Sequence, residues 1–262
     1  MTEGRREEAT GEGLFAPVRR IDLGEPLRWL TAGASDLRRA PRVGLFYGAA
    51  FAAMGWAVVL VFRGAPEYAY ALTAGFLLVG PFVATGLYDA SRRLARGERV
   101  RLADTLLAWR ANTGAFAVFG LVLLVLLLLW SRISLVIFAV FFASGVPRID
   151  QLLARLLSLE HWDFLLAWAA AGFVFAALVY AASVVSVPMM LDRGTDAIVA
   201  ALTSVRALAA NPGALALWAA CIVALVGIGF ATAFVGLLVT APLVGHATWH
   251  AYRAIVGESP PR

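Results

Sequence analysis

The chain has little of what a soluble enzyme or a disulfide-stabilised secreted protein uses. Its 262 residues include one cysteine and three histidines, and only 15% of them are charged. An average soluble protein contains about 25% charged residues. The single cysteine, Cys221, lies inside an apolar segment, so no intrachain disulfide can form and nothing follows about the redox compartment.

Lysine is absent, and all 22 basic residues are arginines. We interpret this as the coding bias of a GC-rich bacterial genome. A nucleic-acid-binding protein would need a soluble face on which to cluster its basic residues. We therefore expect no nucleic-acid partner and assign the net charge of +5 to loops beside anionic lipid.

Recognisable catalytic sets are also missing from the sequence. We find no Ser/His/Asp set, phosphate-binding glycine loop, cysteine cluster or pair of carboxylates within an apolar run. Those arrangements supply the nucleophile, the base or the anion-binding groups of common enzyme classes. We expect that the protein is not an enzyme and that it holds no cofactor.

Long apolar runs dominate what is present. Between Thr113 and Val146 the only ionisable residue is Arg132, and further apolar runs cover residues 43–62, 68–88, 164–187 and 214–244. About 20 apolar residues suffice for a helix to cross the hydrocarbon core of a bilayer. The sequence therefore predicts an all-α integral membrane protein with the lipid bilayer as its solvent.

We predict about six transmembrane helices arranged in three hairpins. The apolar block at residues 213–252 would span some 60 Å as one helix, twice the bilayer core, so we divide it near Gly227 and Gly229. The predicted regions are a disordered cytoplasmic tail (1–24), a juxtamembrane amphipathic segment (25–42), one transmembrane helical domain (43–255) and a short C-terminal tail (256–262).

Two connectors have the pattern of helices that lie in the membrane interface. In residues 149–163 the apolar residues share one helical face. In residues 195–209 Ile198, Leu202 and Val205 form a similar apolar face, and Asn211 with Pro212 ends the helix. The path of residues 133–147 beyond Arg132 stays open, because they could project, bend or re-enter the membrane.

Arginine positions predict the orientation. Arginines precede residue 43 and follow residue 88, and positive charge in short flanking loops stays on the cytoplasmic side. With six crossings both termini lie in the cytoplasm. The predicted location is the bacterial inner membrane.

A weak internal repeat supports the division of the last apolar block. Superposing Pro81 on Pro242 places an aromatic seven residues later (Tyr88, Trp249) and an arginine eleven residues later (Arg92, Arg253). A weaker third copy surrounds Pro188. The pattern predicts kinked helices that end in an interfacial aromatic and a basic residue, but kinked helices near an interface draw on this alphabet without common descent.

Several separated motifs together resemble a known family. They are GLFYGAAFAAMGW (44–56), FLLVGPFVATGLYDASRR (76–93), SVVSVPMMLDRGTDAI (183–198) and GHATWHAYR (245–253). In this order they resemble domain-of-unknown-function family 2189, proteobacterial multi-pass inner-membrane proteins, over residues 40–255.

The resemblance implies a location but no established activity. Some family members are labelled cytochrome c oxidase subunit I, yet that subunit's full set of histidine ligands cannot be built from three histidines. Family members carry a Trp-Arg pair after a glycine upstream of the first span. Here Ala34 and Ser35 follow Gly33, so we expect this helix to dock less firmly.

His246 and His250 are the only candidate cofactor-binding residues. Their spacing of four places both imidazoles on one helical face, where they could share a metal or flank a haem edge. A structural metal would need further ligands, and none is nearby in sequence. We favour a structural or interfacial role, in which Trp249 and Tyr252 form part of an aromatic belt.

The charged candidates have structural alternatives as well. Asp89 precedes Arg92 and Arg93 by three and four residues, which favours a local ion pair over a role in ion passage. For Arg132 we favour snorkelling to the interface over a gating or anion site. Asp192, Arg193 and Asp196 follow Pro188, and their acidic members could cap the next helix.

Three classes of function remain. In the first, the protein is a non-catalytic structural or accessory component of a membrane complex, a respiratory one on the family label, with a membrane-protein partner or a second copy held by small-residue faces such as residues 48–55. The second is a small-molecule or ion transporter or channel, which would need polar groups within the spans. The third is a haem- or metal-binding protein that uses His246 and His250.

Overall fold

The computed structural model describes residues 16–64, 66–142 and 162–257, and in these ranges the chain forms helices and no strands. We number the helices α1 (Glu25–Arg39), α2 (Pro41–Gly64), α3 (Pro66–Ala95), α4 (Leu102–Leu106), α5 (Thr113–Phe141), α6 (Trp162–Ser183), α7 (Ser186–Arg193), α8 (Ala197–Ala210), α9 (Pro212–Ala231) and α10 (Leu237–Val256). A 3-10 helix, Ala108–Asn112, leads into α5.

Four of the described helical stretches are long and apolar enough to cross a membrane by length and composition. They are Pro41–Gly64, Ala108–Phe141, Trp162–Arg193 and Pro212–Ala231. The prediction of an all-α protein with several membrane-capable helices is confirmed. The structure divides into two compact units, one containing residues up to 119 and from 181 onward, the other residues 120–180.

In the first unit, α2 and α3 form an antiparallel pair. Tyr47 lies against Gly86, and Phe51, one turn later on α2, lies beside Gly80, which is earlier on α3. Small residues on α2 allow a second close contact, because Gly48 faces the backbone of Leu238 at the start of α10. The glycine-rich stretch that the sequence offered to a partner is thus used, at this glycine, within the chain.

The last apolar block divides as predicted, but at a different position. Helix α9 runs through both Gly227 and Gly229 and ends at Ala231, and α10 begins at Leu237. Thr232 accepts a hydrogen bond from the Gly236 amide at 2.9 Å, and Ala233 is in the left-handed region with φ 51°. Gly229 instead allows Leu237 to pack closely, so this glycine serves helix contact rather than chain reversal.

Helix α1 is firmly docked, contrary to the expectation drawn from the missing Trp-Arg pair. A Cβ on Gly33 would lie 2.7 Å from the backbone nitrogen of Ala247 in α10, so the two helix backbones approach closely. Trp29 is buried and packs edge-on against Trp218 of α9, with ring centroids 5.7 Å apart.

Part of the predicted disordered tail is also ordered against the bundle. The Arg19 amide donates a hydrogen bond of 2.8 Å to the carbonyl of Ile255. The side chain of Asn211 accepts from the Ile21 amide at 2.9 Å and donates to the Arg19 carbonyl at 2.9 Å. The disorder predicted for residues 1–24 therefore does not extend through these residues, and residues 1–15 lie outside the described ranges.

The predicted amphipathic helix at residues 195–209 is α8. Asp196 caps it by accepting a hydrogen bond from the Ile198 amide at 2.8 Å, as the acidic residues after Pro188 suggested. Its inward face consists of Ala197, Ala200, Thr203, Ser204 and Ala207, while Ile198, Leu202 and Val205 are exposed. Small residues face the protein and large apolar ones face outward, as on a surface that contacts lipid or a partner.

The second unit contains the later part of α5 and most of α6. Trp130 contacts Trp168 and Phe175, with ring centroids 5.5 Å and 5.8 Å away, and Gly172 gives its ring room. Helix α5 continues past the exposed Arg132 to Phe141, so residues 133–141 are helical. The connector predicted at residues 149–163 lies almost wholly outside the described residues, which resume at Trp162.

Candidate functional site

Polar side chains of the first unit meet at the C-terminal ends of α1, α3, α7 and α10. We call them the end cluster: Asp36, Asp89, Ser91, Arg92, Arg93, Asp192, Arg193, His246, His250 and Tyr252. Asp36, Asp89, Ser91, His246 and Tyr252 are buried. Buried polar groups cost free energy unless they are hydrogen-bonded, so the partners of each group decide what the cluster does.

Asp89 of α3 forms ion pairs with two arginines of the same helix. Helical spacing brings Arg92 and Arg93 onto the same face, and one carboxylate oxygen bonds Arg92 while the other accepts from Arg93 Nε at 2.7 Å. The local ion pair expected from the sequence is thus present. Arg92 also donates to the carbonyl of Leu191 at 3.0 Å, which links α3 to α7.

Asp192 and Arg193 at the end of α7 join that helix to α10. The Tyr252 hydroxyl donates to Asp192 at 2.9 Å, and Arg193 Nε donates to the same hydroxyl oxygen at 3.0 Å. Arg193 further donates to the carbonyls of Val256 and Gly257 at 3.1 and 3.2 Å. Of the residues expected to cap the next helix, Asp196 does so, whereas Asp192 contacts α10.

A hydrogen-bonded chain links the two candidate histidines. His250 Nε2 lies 2.8 Å from Asp36 Oδ2, Asp36 accepts from Ser91, and Ser91 Oγ lies 2.7 Å from His246 Nδ1. Burial raises the pKa of Asp36, but the hydrogen bonds from His250 and Ser91 outweigh burial and hold that pKa below its usual value. Asp36 is therefore a carboxylate at neutral pH.

This series of hydrogen bonds determines which nitrogen of each imidazole, His246 and His250, carries the hydrogen that donates. A carboxylate only accepts, so the Ser91 hydroxyl hydrogen points to Asp36 and Ser91 Oγ must accept from His246 Nδ1–H. In the neutral form of the His246 ring the lone pair then lies on Nε2, a buried atom with no hydrogen-bond partner among the described residues. The two imidazoles face different partners, and the described residues contain no group of three or more His, Cys, Asp or Glu that could hold a metal.

The residues of the predicted aromatic belt are buried instead. Trp249 packs on Tyr252 with centroids 5.4 Å apart and lies beneath the guanidinium of Arg253 at 5.9 Å. Tyr88 is buried and hydrogen-bonds Thr248. These aromatics fit inside because Gly245 of α10 lets Leu87 of α3 pack closely.

The three prolines of the predicted repeat lie within helices. Two of these helices have their C-terminal ends close together. Pro81 and Pro242 are inside α3 and α10, and Pro188 lies in the first turn of α7. Contacts from the Asp192 and Arg193 pair reach Arg96 of α3 at 3.7 Å and Tyr252 of α10. The two C-terminal ends thus lie on one side of the unit, as the repeat predicts, while the equivalence of the two kinks stays a prediction.

Sequence reasoning missed Asp36, Ser91 and Asn112. Asp36 follows Trp29 and Gly33 on the buried face of α1, so a lone acid on an apolar face was the available signal. Asn112 donates to the carbonyls of Met190 and Thr195 at 3.1 and 2.9 Å, and no sequence pattern marks it. Arg132 lies far along α5 and forms no ion pair with a described residue.

These observations define an integral membrane protein whose helices are joined at one end by buried polar contacts. Residues 69–192 match the family model described as "Predicted integral membrane protein (DUF2189)", which confirms the family named from the motifs over this part of the chain. No curated protein and no solved structure matches the chain. The matched residues include Asp89, Arg92 and Asp192, whereas Asp36 and both candidate histidines lie outside them.

Proposed function

We propose that the protein is a non-catalytic structural or accessory component of a membrane complex. The observation that carries this proposal is the end cluster, whose charged groups bond to one another and to helix ends. Asp89, which the sequence offered for ion passage, and Asp192 and Arg193, which follow Pro188, each join neighbouring turns or helices. Their contacts favour a role in holding the helices in fixed positions.

The outward faces of the membrane-capable helices supply the surface that such a component needs. Large apolar side chains are exposed on each of them, including Leu60, Val140, Phe173 and Val223. Lipid covers part of such a surface in any membrane protein, and a partner protein or second copy would cover another part. Because the bilayer removes most of the hydrophobic drive for association, shape and small residues decide which part.

We further propose six crossings with both termini in the cytoplasm of a bacterial inner membrane. This adds α3 and α10 to the four stretches that meet the length and composition criteria. Helix α10 has 20 residues, or about 30 Å at 1.5 Å per residue, which matches the hydrocarbon core. Reporter fusions at Glu3, Arg96 and Ser259 should all read cytoplasmic, and an outside reading at Ser259 would contradict the third hairpin.

Purification in mild detergent tests the accessory role against the haem or metal alternative. The wild-type protein should carry a fixed ratio of at least one other membrane protein, for which a respiratory complex is our named candidate. The double variant His246→Ala, His250→Ala should retain that partner if it folds, because both side chains hydrogen-bond residues of this chain, Ser91 and Asp36. Stoichiometric haem or metal that disappears in this variant would contradict the proposal, since losing two ligands removes most of the binding energy.

A further inference from the structure

An apolar groove of about 290 Å³ lies beside the start of α5 in the first unit, lined by Phe82, Trp109, Thr113, Phe116 and Ala117. Phe116 is buried and packs against Phe82 with ring centroids 6.0 Å apart. The Phe82 ring, backed by Phe116, forms an aromatic wall. Thr113 and Ala117 are exposed one turn apart on α5, so the groove follows the helix and opens on the protein surface.

The groove is placed where an amphiphile would enter. Thr113, Phe116 and Ala117 occupy the first turns of the α5 part of the membrane-capable stretch Ala108–Phe141. Trp109 lies just before them in the 3-10 helix and is exposed. Tryptophan is enriched at the level of lipid headgroups. The groove therefore runs from the headgroup level toward the apolar interior.

Unopposed positive charge lies at the Trp109 end. The Arg110 guanidinium stands over the Trp109 ring, 5.7 Å from its centroid. The acidic side chains of the same connecting segment face elsewhere, because Glu98 and Asp104 lie 3.7 and 3.9 Å from Arg93. Within the described ranges, no carboxylate pairs with Arg110.

The connecting segment is held in place by buried contacts. Tyr47 of α2 hydrogen-bonds Thr105 at 3.1 Å, and Thr105 donates to the Leu102 carbonyl at 2.8 Å. Asn112 donates to carbonyls on both sides of α7's C-terminal turn, at Met190 and Thr195. The groove and its arginine are thus formed before a ligand arrives, which lowers the entropic cost of binding.

We propose that this groove binds one anionic phospholipid. An acyl chain lies along Phe82, Thr113 and Ala117 above the buried Phe116, and the headgroup phosphate accepts hydrogen bonds from Arg110, whose planar guanidinium suits a phosphate. A soluble anion would use the arginine but not the apolar wall, and an uncharged lipid would use the wall but not the arginine. Both together select an anionic lipid. This inference depends on membrane insertion and not on the accessory role.

Native mass spectrometry of the detergent-purified full-length chain tests the proposal, with palmitoyl-oleoyl phosphatidylglycerol and the matching phosphatidylcholine as probes. The wild-type protein should bind phosphatidylglycerol in preference to phosphatidylcholine. Arg110→Gln should weaken phosphatidylglycerol binding about tenfold, the loss expected for one charge-assisted hydrogen bond. The matched control Arg63→Gln removes an exposed arginine from the far end of α2 and should leave binding unchanged.

A second variant tests the apolar wall. Ala117→Trp fills the groove from its exposed rim and should reduce binding of phosphatidylglycerol. The Tm of this variant should stay within a few degrees of the wild-type Tm. If Ala117→Trp does not fold, Trp109→Ala must weaken binding in its place. Equal binding of the two lipids, unchanged binding in Arg110→Gln, or full competition by inorganic phosphate would each overturn the proposal.

Discussion

The contact between Asp36 and His250 should fix α1 to α10, and its strength can be measured by a double-mutant cycle. Asp36 is 7% exposed and His250 is 28% exposed in their side chains, with 2.8 Å between the bonded atoms. A hydrogen bond to a charged group contributes about 1.5–3 kcal/mol. Because the His250 side chain is partly exposed, we reduce that value and expect a coupling free energy of about 1–2 kcal/mol.

The cycle uses Asp36→Asn, His250→Ala and the double variant, compared by thermal unfolding in detergent. For a domain of about 150–250 residues, 1 kcal/mol corresponds to roughly 2–4 °C in Tm, so each single variant should lose about 2–8 °C. The double variant should lose less than the sum. Arg28→Ala is the control, because its pair with Glu25 on the same helix is exposed and should change Tm by less than about 2 °C. Strictly additive losses would refute the assigned contact.

Three further predictions concern the same unit. Gly33→Leu should prevent close packing of α1 and lower Tm or yield, whereas Gly24→Ala, where a Cβ meets no atom within 4 Å, should be tolerated. Asp89→Asn should cost about 3 kcal/mol because it breaks a buried ion pair, measured against Asp104→Asn, whose partner lies 3.9 Å away. The pKa of Asp36 is lower in the folded protein, so its contribution to stability is present above about pH 4 and is lost as pH falls further. Between about pH 5 and pH 3 the wild type should therefore lose more Tm than Asp36→Asn.

The membrane class followed from the sequence because apolar run length is a direct physical requirement of the bilayer. The Asp89 ion pair could also be predicted from the sequence, since spacings of three and four place side chains together on any helix. Asp196 as a helix cap follows from a local rule of the same kind. Each of these features depends on residues close together in the chain.

The chain reversal between α9 and α10 could not be located in this way. Glycines at 227 and 229 suggested a break, but a membrane helix tolerates glycine where another helix packs against it. The actual turn uses Thr232 and left-handed residues such as Ala233, φ 51°, which carry no strong turn signal. The local sequence therefore predicted that a turn exists but placed it a few residues too early.

The chain from His250 to His246 depends on contacts between distant segments. Asp36 and His250 are 214 residues apart, and Ser91 and His246 are 155 residues apart. Helical spacing places the two histidines on one face of α10, but only the packing of α1 and α3 around that face decides their partners. The same packing buries Trp249, which the sequence pattern assigned to a membrane interface.

Site-specific photo-cross-linking in intact cells tests the accessory role most directly. A photoreactive residue would replace Leu60, Val140, Phe173 or Val223, which are exposed on the four membrane-capable stretches, with the buried Trp218 as the silent control. We expect a discrete adduct of one size with one protein from at least one outward position and none from position 218. Absence of any protein adduct at all four outward positions would contradict it.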